Sequence, residues 1–191
     1  NTVDAVVVGQ FAGKEALSSV GGSSSQIINF VVGFFTGLSA GATVIISQFY
    51  GAGDAKKIHR ALHTAYAFAI IGGIAAGIIG IAVTVPIMRL MNTPAELLHD
   101  SAMYVMIYFA GLVFIFVYNM GSAILRAIGD SKRPLYYLVI CCGINIVLDI
   151  LLVSVFKLGV LGAAVATFIA QLVSAIMVTR ALMYHTEGMK L

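Results

Sequence analysis

Charged residues are scarce in this sequence. Only 10% of its 191 residues are Asp, Glu, Lys or Arg, whereas a soluble domain carries about 25%. Hydrophobic residues make up 60% of the chain, and the mean hydropathy is +1.02. Together these features exclude an ordinary soluble domain and place most of the chain in lipid.

Proline, cysteine and tryptophan are also rare, with three, two and no residues respectively. Glycine is frequent, with 20 residues, and it lets membrane helices pack closely. Without tryptophan, an aromatic belt at the membrane surface would depend on the eight tyrosines. Cys141 and Cys142 are neighbours whose side chains point about 100° apart on a helix, which disfavours a disulfide between them and favours apolar packing.

The charge and motif content disfavours nucleic acid, a metal centre of the Cys or His type, and catalysis. The net charge of +3 is modest and the basic residues cluster in short loops, so we expect no nucleic-acid partner. The apolar runs contain no paired histidine, no HExxH motif and no nucleophile beside a base. We therefore expect neither enzyme activity nor a cofactor. Four histidines lie near loops and are expected to be solvated: His59, His63, His99 and His185.

Long apolar runs follow one another and predict an all-α, polytopic membrane helix bundle in a single domain, residues 1–191. A spanning helix needs about 20 residues. We predict six helices, at about residues 1–12, 23–50, 62–88, 101–125, 135–156 and 159–182, followed by a polar tail. The first run is too short to cross a bilayer, so we expect the chain to begin inside its first helix.

Turn residues mark the ends of several runs. The third run is expected to end near Pro86, and Thr93 is expected to cap a short helix starting at Pro94. Residues 53–57 (GDAKK) and 129–133 (GDSKR) are two similar polar turns, 76 positions apart. They are either parts of a repeated hairpin or two independent turns that have the same local structure.

Lysine and arginine are unequally divided between the two sides of the predicted bundle. Eight follow the second, fourth and sixth runs, and three lie on the opposite side. The eight are Lys56, Lys57, Arg60, Arg126, Lys132, Arg133, Arg180 and Lys190, and the three are Lys14, Arg89 and Lys157. The positive-inside rule therefore assigns the first set to the cytoplasm.

Two acidic residues lie inside apolar runs. Asp4 lies in the run 3–12 and Asp149 in the run 135–156. A carboxylate at the centre of a membrane helix costs about 2.5–3.5 kcal/mol on the insertion scale. Such an acid needs a partner, an ion or a proton, so both residues are candidate functional residues.

Three predicted helices bring oxygen atoms to the same depth. Asp4, Asp149 and Thr167 each lie eight residues from the outer end of a run, or roughly 12 Å. Asn145 is one helical turn deeper than Asp149 and shares its face, and Tyr104 is placed to reach toward them. Carboxylate, amide and hydroxyl oxygens suit a small hard cation such as Na⁺, or a proton on a desolvated acid. We predict a cation-binding site at these five residues.

Each of these residues also has a structural interpretation. Asp4 could be exposed to water near a chain end, Asn145 could hydrogen-bond between helices, and Thr167 could bond its own backbone. Tyr104 could anchor the helix at the membrane surface. Further polar residues are candidates for helix contacts or for the lining of a cavity: Gln26, Asn29, Gln48, Asn119 and Gln171.

Five segments resemble the MATE family of multidrug and toxic compound extrusion transporters. They are VDAVVVG at 3–9, SQFYGA at 47–52, RAIGDSKRP at 126–134, NIVLD at 145–149 and GVLGAAVAT at 159–167. Each motif is moderately specific, but their order and spacing together are strongly specific, and they cover nearly the whole chain.

The resemblance implies a twelve-helix transporter with two six-helix lobes, of which this chain would be the amino-terminal one. It implies export of organic, often cationic, compounds from a bacterial or archaeal inner membrane in exchange for Na⁺ or H⁺. Asp4, Asn145, Asp149 and Thr167 would bind the coupling ion, with Tyr104 beside them. The expected partners are the organic substrate, the lipid bilayer and the second lobe.

Two other functions, lipid flipping and a scaffold role, are alternatives to cation-coupled efflux. A lipid-linked saccharide flippase of the same broad fold would have basic side chains lining a central cavity, whereas here every Lys and Arg lies at a loop or a helix end. A membrane scaffold without transport activity would leave the two intramembrane acids unexplained. Cation-coupled efflux is therefore the leading hypothesis.

Overall fold

The computed structural model describes residues 2–184, and every element in that range is a helix. The helices are α1 Thr2–Phe11, α2 Lys14–Gly21, α3 Ser23–Gly51, α4 Ala55–Leu90, α5 Ala95–Ala110, α6 Leu112–Ala127, α7 Lys132–Asp149 with a π-helical turn at Ile150–Val155, and α8 Gly159–Tyr184. The predicted all-α class is confirmed. His185 and Lys190, to which the sequence assigned a solvated and a cytoplasmic position, lie outside the described residues.

Several helical stretches are long and apolar enough to cross a membrane. Among the described residues, four helical stretches meet that condition, and α5 with α6 makes a fifth if the bent pair is one span. The four are Lys14–Gly51, Ala55–Leu90, Lys132–Val155 and Gly159–Tyr184. Helix α1 has ten residues, fewer than the roughly 20 of a full crossing. The result is a polytopic bundle in which α1, α3, α4, α5 with α6, α7 and α8 follow the six predicted runs.

Helix α2 belongs to none of the predicted runs. It begins directly after Gly13, whose φ of 94° lies in the left-handed region that glycine tolerates best. It passes into α3 at Gly22, where a Cβ atom would come within 2.7 Å of the Ser18 carbonyl oxygen. A side chain at Gly22 would therefore disturb the tight junction between the two helices.

The two similar polar turns share one helix-ending pattern. Gly53 and Gly129 both have positive φ values, 69° and 91°. The next residue in each turn donates its N–H to a carbonyl five residues back, from Asp54 to Phe49 at 3.2 Å and from Asp130 to Leu125 at 2.9 Å. This is the helix end that glycine makes possible.

Each turn also starts the next helix in the same way. The backbone N–H of Lys57 donates to Asp54 Oδ1 at 3.1 Å, and that of Arg133 donates to Asp130 Oδ1 at 3.2 Å. The Lys57 and Arg133 side chains also form ion pairs of 3.1 Å with Asp54 and Asp130, respectively. The similarity between residues 53–57 and 129–133 thus extends from sequence to hydrogen-bond pattern.

The turn between α4 and α5 differs from the sequence prediction. Thr93 donates its hydroxyl to Ser23 Oγ at 2.9 Å, so it ties this turn to the start of α3 instead of capping α5. Helix α5 follows Pro94 without a side-chain cap and continues to Ala110, so no separate short helix forms. Helix α4 contains Pro86 and continues to Leu90, because a membrane helix tolerates proline where its surroundings satisfy the freed carbonyl.

The predicted fourth span is broken at Gly111. Helices α5 and α6 meet there at an angle of 46°. A Cβ atom at Gly111 would lie 2.7 Å from Gln171 Oε1 and 3.1 Å from the Phe168 ring, both on α8. The absence of a side chain at the bend therefore lets α8 pack closely against it.

Small residues bring the central helices together. A Cβ atom at Gly73 would lie 2.7 Å from Val113 Cα, and one at Gly77 would lie 2.7 Å from the Phe109 carbonyl oxygen. Helix α8 contributes a buried face rich in alanine. Close backbone approach of this kind is typical of membrane helix interfaces. In contrast, α7 buries only Pro134 and Asp149.

Candidate functional site

Asp4 lies in the interior, where three helices meet. Its side chain is fully buried, with 0% exposure. The Tyr104 hydroxyl, on α5, donates to Asp4 Oδ2 at 3.0 Å, and the Thr167 hydroxyl, on α8, donates to the same oxygen at 2.8 Å. Both donors come from other helices, so the carboxylate of α1 joins α1 to α5 and α8.

Asp149 is equally buried, although the helix that carries it is mostly exposed. It is the last residue of α7 before the π-helical turn Ile150–Val155, and such turns are frequent at functional sites. Its carboxyl interacts with that of Asp4. Neither Asp149 oxygen accepts a hydrogen bond from an N–H or O–H group of residues 2–184 in standard geometry.

Asn145 connects to this pair through Thr167. Its amide Nδ2 donates to Thr167 Oγ1 at 3.3 Å, and the threonine hydroxyl in turn donates to Asp4. The threonine thus bonds to other helices rather than only to its own backbone. The structure brings together all five residues that the sequence singled out for the cation site, from α1, α5, α7 and α8.

Two buried carboxyls that face each other constrain their own charge. If both were ionised, their repulsion would be strong in a medium of low dielectric constant. A proton on one of them, or a cation between them, removes that repulsion. The oxygens of Asp4, Asp149, Thr167 and Asn145 are hard ligands, which suit Na⁺ as well as a proton.

The residues predicted to line a cavity do not form one group. Gln26, Asn29 and Gln48 are exposed on α3, and Gln26 borders an apolar groove of about 480 Å³ between α3 and α4. Asn119 is half-buried on α6. Gln171 is half-buried on α8, one turn from Thr167, and its Oε1 is buried without a hydrogen-bond partner in the described part of the chain.

A second groove lies between the other halves of α3 and α4. It has a volume of about 690 Å³ and apolar walls, with Lys57 and Arg60 at one end. Neither groove includes a residue of the acid pair. Among the described residues, no Lys or Arg side chain is buried, and all of them lie at or near helix ends.

A set of polar contacts, not predicted from the sequence, lies between the acid pair and the end of the bundle that carries the turn 129–133. The Cys141 thiol donates to the Ala170 carbonyl at 3.0 Å, and the Tyr118 hydroxyl donates to the Pro134 carbonyl at 2.9 Å. Cys142, its neighbour, is exposed. The spacing of four residues between Asp149, Asn145 and Cys141 was the available signal, because it places the three on one face of α7.

The chain is similar to known exporters in sequence. The family model MatE matches residues 1–151. The "Probable multidrug resistance protein YoeA" of Bacillus subtilis is 34% identical over 172 residues, which is 88% of this chain and 37% of that relative. The "Multidrug export protein MepA" of Staphylococcus aureus is 32% identical over 140 residues, which is 71% of this chain and 30% of that relative.

The fold agrees with these similarities. The solved structure described as "Crystal structure of MATE in the bent conformation" superposes on the whole chain with a TM-score of 0.93 and 25% identity, and the chain covers 42% of it. The chain thus spans less than half the length of these relatives, the share expected of a single lobe. It is an integral membrane protein, and it belongs to the MatE family, the MATE transporters.

Proposed function

We propose that this chain is the amino-terminal lobe of a two-lobe MATE transporter, and that it couples the entry of Na⁺ or H⁺ to the export of organic, often cationic, compounds. The names of the relatives, a multidrug resistance protein and a multidrug export protein, support export rather than catalysis. The second lobe, the organic substrate and the bilayer are the partners. No cofactor takes part.

The observation that carries this proposal is the buried acid pair. Asp4 and Asp149 interact inside the lobe, and the hydroxyls of Tyr104 and Thr167 point at Asp4. A membrane protein retains two such acids only at a cost in insertion energy. A role in cation coupling explains why the protein has two buried acids despite this cost.

The arrangement provides a mechanism because the ligands belong to different helices. When a proton or Na⁺ binds, the repulsion between Asp4 and Asp149 disappears and α1 packs against α7 and α8. When the cation leaves, the two carboxylates repel each other and α1 is biased away from them. A change in the packing of α1 then alters the orientation of the two lobes around the substrate, so that cation binding and substrate binding exclude one another.

A lipid-linked saccharide flippase receives less support. A pyrophosphate headgroup needs cationic side chains in the cavity, and the described lysines and arginines lie at or near helix ends instead. One outcome of the efflux test described below would favour this function.

The test compares Asp149→Asn with Asp130→Asn in the complete two-lobe transporter, reconstituted in vesicles. Ethidium efflux is measured with a Na⁺ gradient and a proton gradient imposed separately. Asn keeps the shape of the side chain but removes its negative charge, so Asp149→Asn should abolish gradient-driven efflux. Asp130→Asn, at the turn before α7, should retain it. Unchanged efflux in Asp149→Asn would refute the proposal.

The unmodified transporter is the reference for the same measurement. Efflux driven by one gradient and not by the other identifies the coupling ion. No response to either gradient, in correctly inserted protein, would favour lipid flipping and leave Asp4 and Asp149 a structural role.

A further inference from the structure

The acid pair is connected to one end of the bundle by a line of polar side chains. We call this line the inner polar column: Gln171 and Ser174 of α8, Cys141 of α7, and Ser122 and Tyr118 of α6. It runs toward the basic face, which we define as the face that carries the turns 53–57 and 129–133. The Lys and Arg distribution assigns this face to the cytoplasm.

The column begins one helical turn below the cation site. Gln171 follows Thr167 by four residues and shares its face of α8. Its Oε1 lies against the bend at Gly111 and is buried without a hydrogen-bond partner among residues 2–184. Because buried polar atoms in proteins are nearly always hydrogen-bonded, to protein or to ordered water, a water molecule or a cation is the expected partner of this oxygen.

Hydroxyl and thiol groups continue the line for two further turns. The Ser174 hydroxyl donates to the backbone carbonyl of Gln171 at 2.8 Å, and it lies beside the Cys141 thiol. The Tyr118 hydroxyl lies near Ser122 and Cys141 and donates to the Pro134 carbonyl at the first turn of α7. Polar groups therefore follow one another from the acid pair to the basic face.

The rest of α7 between Leu135 and Leu148 is largely apolar. Only one face of α7 turns toward the interior, and it carries Asp149, Asn145 and Cys141 at intervals of four residues. Cys142, one position further, is exposed on the outside of the bundle. Polar side chains arranged in a row in the interior of a membrane protein are typical of ion and proton pathways.

We propose that the coupling cation passes between the acid pair and the cytoplasm along the inner polar column, through a hydrated path enclosed by α6, α7 and α8. The proposal rests on the proposed function, since it describes how the cation leaves the same site. It separates the route of the cation, inside the lobe, from the route of the organic substrate.

The two adjacent cysteines provide a matched pair for the test. In a cysteine-free version of the complete transporter, either Cys141 or Cys142 is restored, and Ag⁺ is added to one side of sealed vesicles. Ag⁺ is a monovalent cation that binds thiols, and thiols that it has capped no longer react with a maleimide after denaturation. Because a thiolate forms in water and not in lipid, Cys141 should be capped at least about tenfold faster than Cys142. It should be capped faster from the basic face than from the opposite side.

A second variant keeps the proposal open to refutation if a cysteine variant folds poorly. Gln171→Leu should slow gradient-driven efflux while equilibrium cation binding to the acid pair is unchanged, and Gln10→Leu, at an exposed glutamine of α1, is its control. Efflux from Gln171→Leu at the unmodified rate would overturn the proposal.

The outcomes separate this proposal from the function on which it rests. If Asp149→Asn abolishes efflux but Cys141 is capped no faster than Cys142, the proposed function stands and the path is wrong. Faster capping of Cys141 from the basic face supports the path.

Discussion

Helix α7 carries an aspartate at each end, and the two residues have opposite environments. Asp130, just before the helix, is at the surface, accepts the Arg133 N–H and forms an ion pair with the same residue. Asp149, at the other end, is buried and interacts with a second acid, Asp4. The same residue type therefore serves a local helix start at one end and a contact between distant helices at the other.

The difference shows where charge matters in this fold. Asp130 and Asp54 take their partners from the next few residues of the chain, so their effect stays within one turn. Asp4 takes its hydrogen-bond donors from residues 100 and 163 positions away. These contacts tie the carboxylate of α1 to α5 and α8, so under the proposed function a change of charge at the buried pair acts on the packing of α1.

Among the hydrogen-bonding neighbours of the acid pair, the largest effect is expected from Tyr104→Phe. The substitution removes one of the two hydroxyl donors to Asp4 Oδ2 and leaves the ring in place. A hydrogen bond to a charged group contributes about 1.5–3 kcal/mol, which corresponds to about 10–150-fold. We expect the rate of cation-driven efflux to fall by that factor, measured over a range of cation concentrations.

Tyr66→Phe is the matched control for this experiment. The Tyr66 hydroxyl bonds to Thr179, between α4 and α8, and makes no described contact with either acid. The control should change efflux little. Equal losses in both variants would show that Tyr104 acts through general packing and not through Asp4.

The proximity of the five site residues was predictable because the depth of a residue in a membrane can be estimated by counting residues along its helix. Each helix advances about 1.5 Å per residue, and the ends of the apolar runs are visible in the sequence. Counting eight residues from those ends brought Asp4, Asp149 and Thr167 to one level, and the structure places them together. The polar turns at 53–57 and 129–133 were equally visible, because glycine and aspartate have defined local roles there.

Features that depend on contacts between helices were not predictable. The bend at Gly111 arises where Gln171 and Phe168 of α8 occupy the space of a side chain, and nothing in residues 101–125 specifies that neighbour. Thr93 has the chemistry of a helix cap, but Ser23 competes for its hydroxyl. The rotation of α3, which leaves Gln26 and Gln48 exposed, likewise depends on packing and not on the sequence of α3 alone.

A smaller effect is expected from Asn145→Leu. Asn145 donates to Thr167 at 3.3 Å, and the threonine donates to Asp4. The amide therefore affects the acid pair only indirectly, through Thr167. A neutral hydrogen bond contributes about 0.5–1.5 kcal/mol, or about 2–10-fold. Cation-driven efflux should fall within that range, less than in Tyr104→Phe.

The control for Asn145→Leu is Asn119→Leu, at another half-buried asparagine, on α6. It should leave the cation dependence of efflux unchanged. A loss in Asn145→Leu as large as that of Asp149→Asn would mean that the amide binds the cation directly, and the order of these residues around the site would have to be revised.

The smallest effect is expected at the surface, from Asp54→Asn. The Lys57 backbone N–H, followed by the Lys57 side chain, lowers the pKa of the Asp54 carboxyl below its ordinary value of 3.8. A carboxyl whose pKa is lower in the folded protein stabilises the fold above the unfolded value, and that contribution is lost as the pH falls through the folded pKa. The unmodified protein should therefore have a slightly higher Tm than Asp54→Asn at neutral pH.

This difference in Tm should shrink as the pH falls below 3.8, because a protonated aspartic acid is then as neutral as asparagine. Thermal unfolding in detergent across that pH range measures it, and added salt at neutral pH should reduce it, since the ion pair with Lys57 is exposed. Cation-driven efflux should be unchanged, because the charge of Asp54 acts within its own turn. A difference in Tm that grows toward acid pH, or a loss of efflux in Asp54→Asn, would contradict the distinction between the surface aspartates and the buried pair.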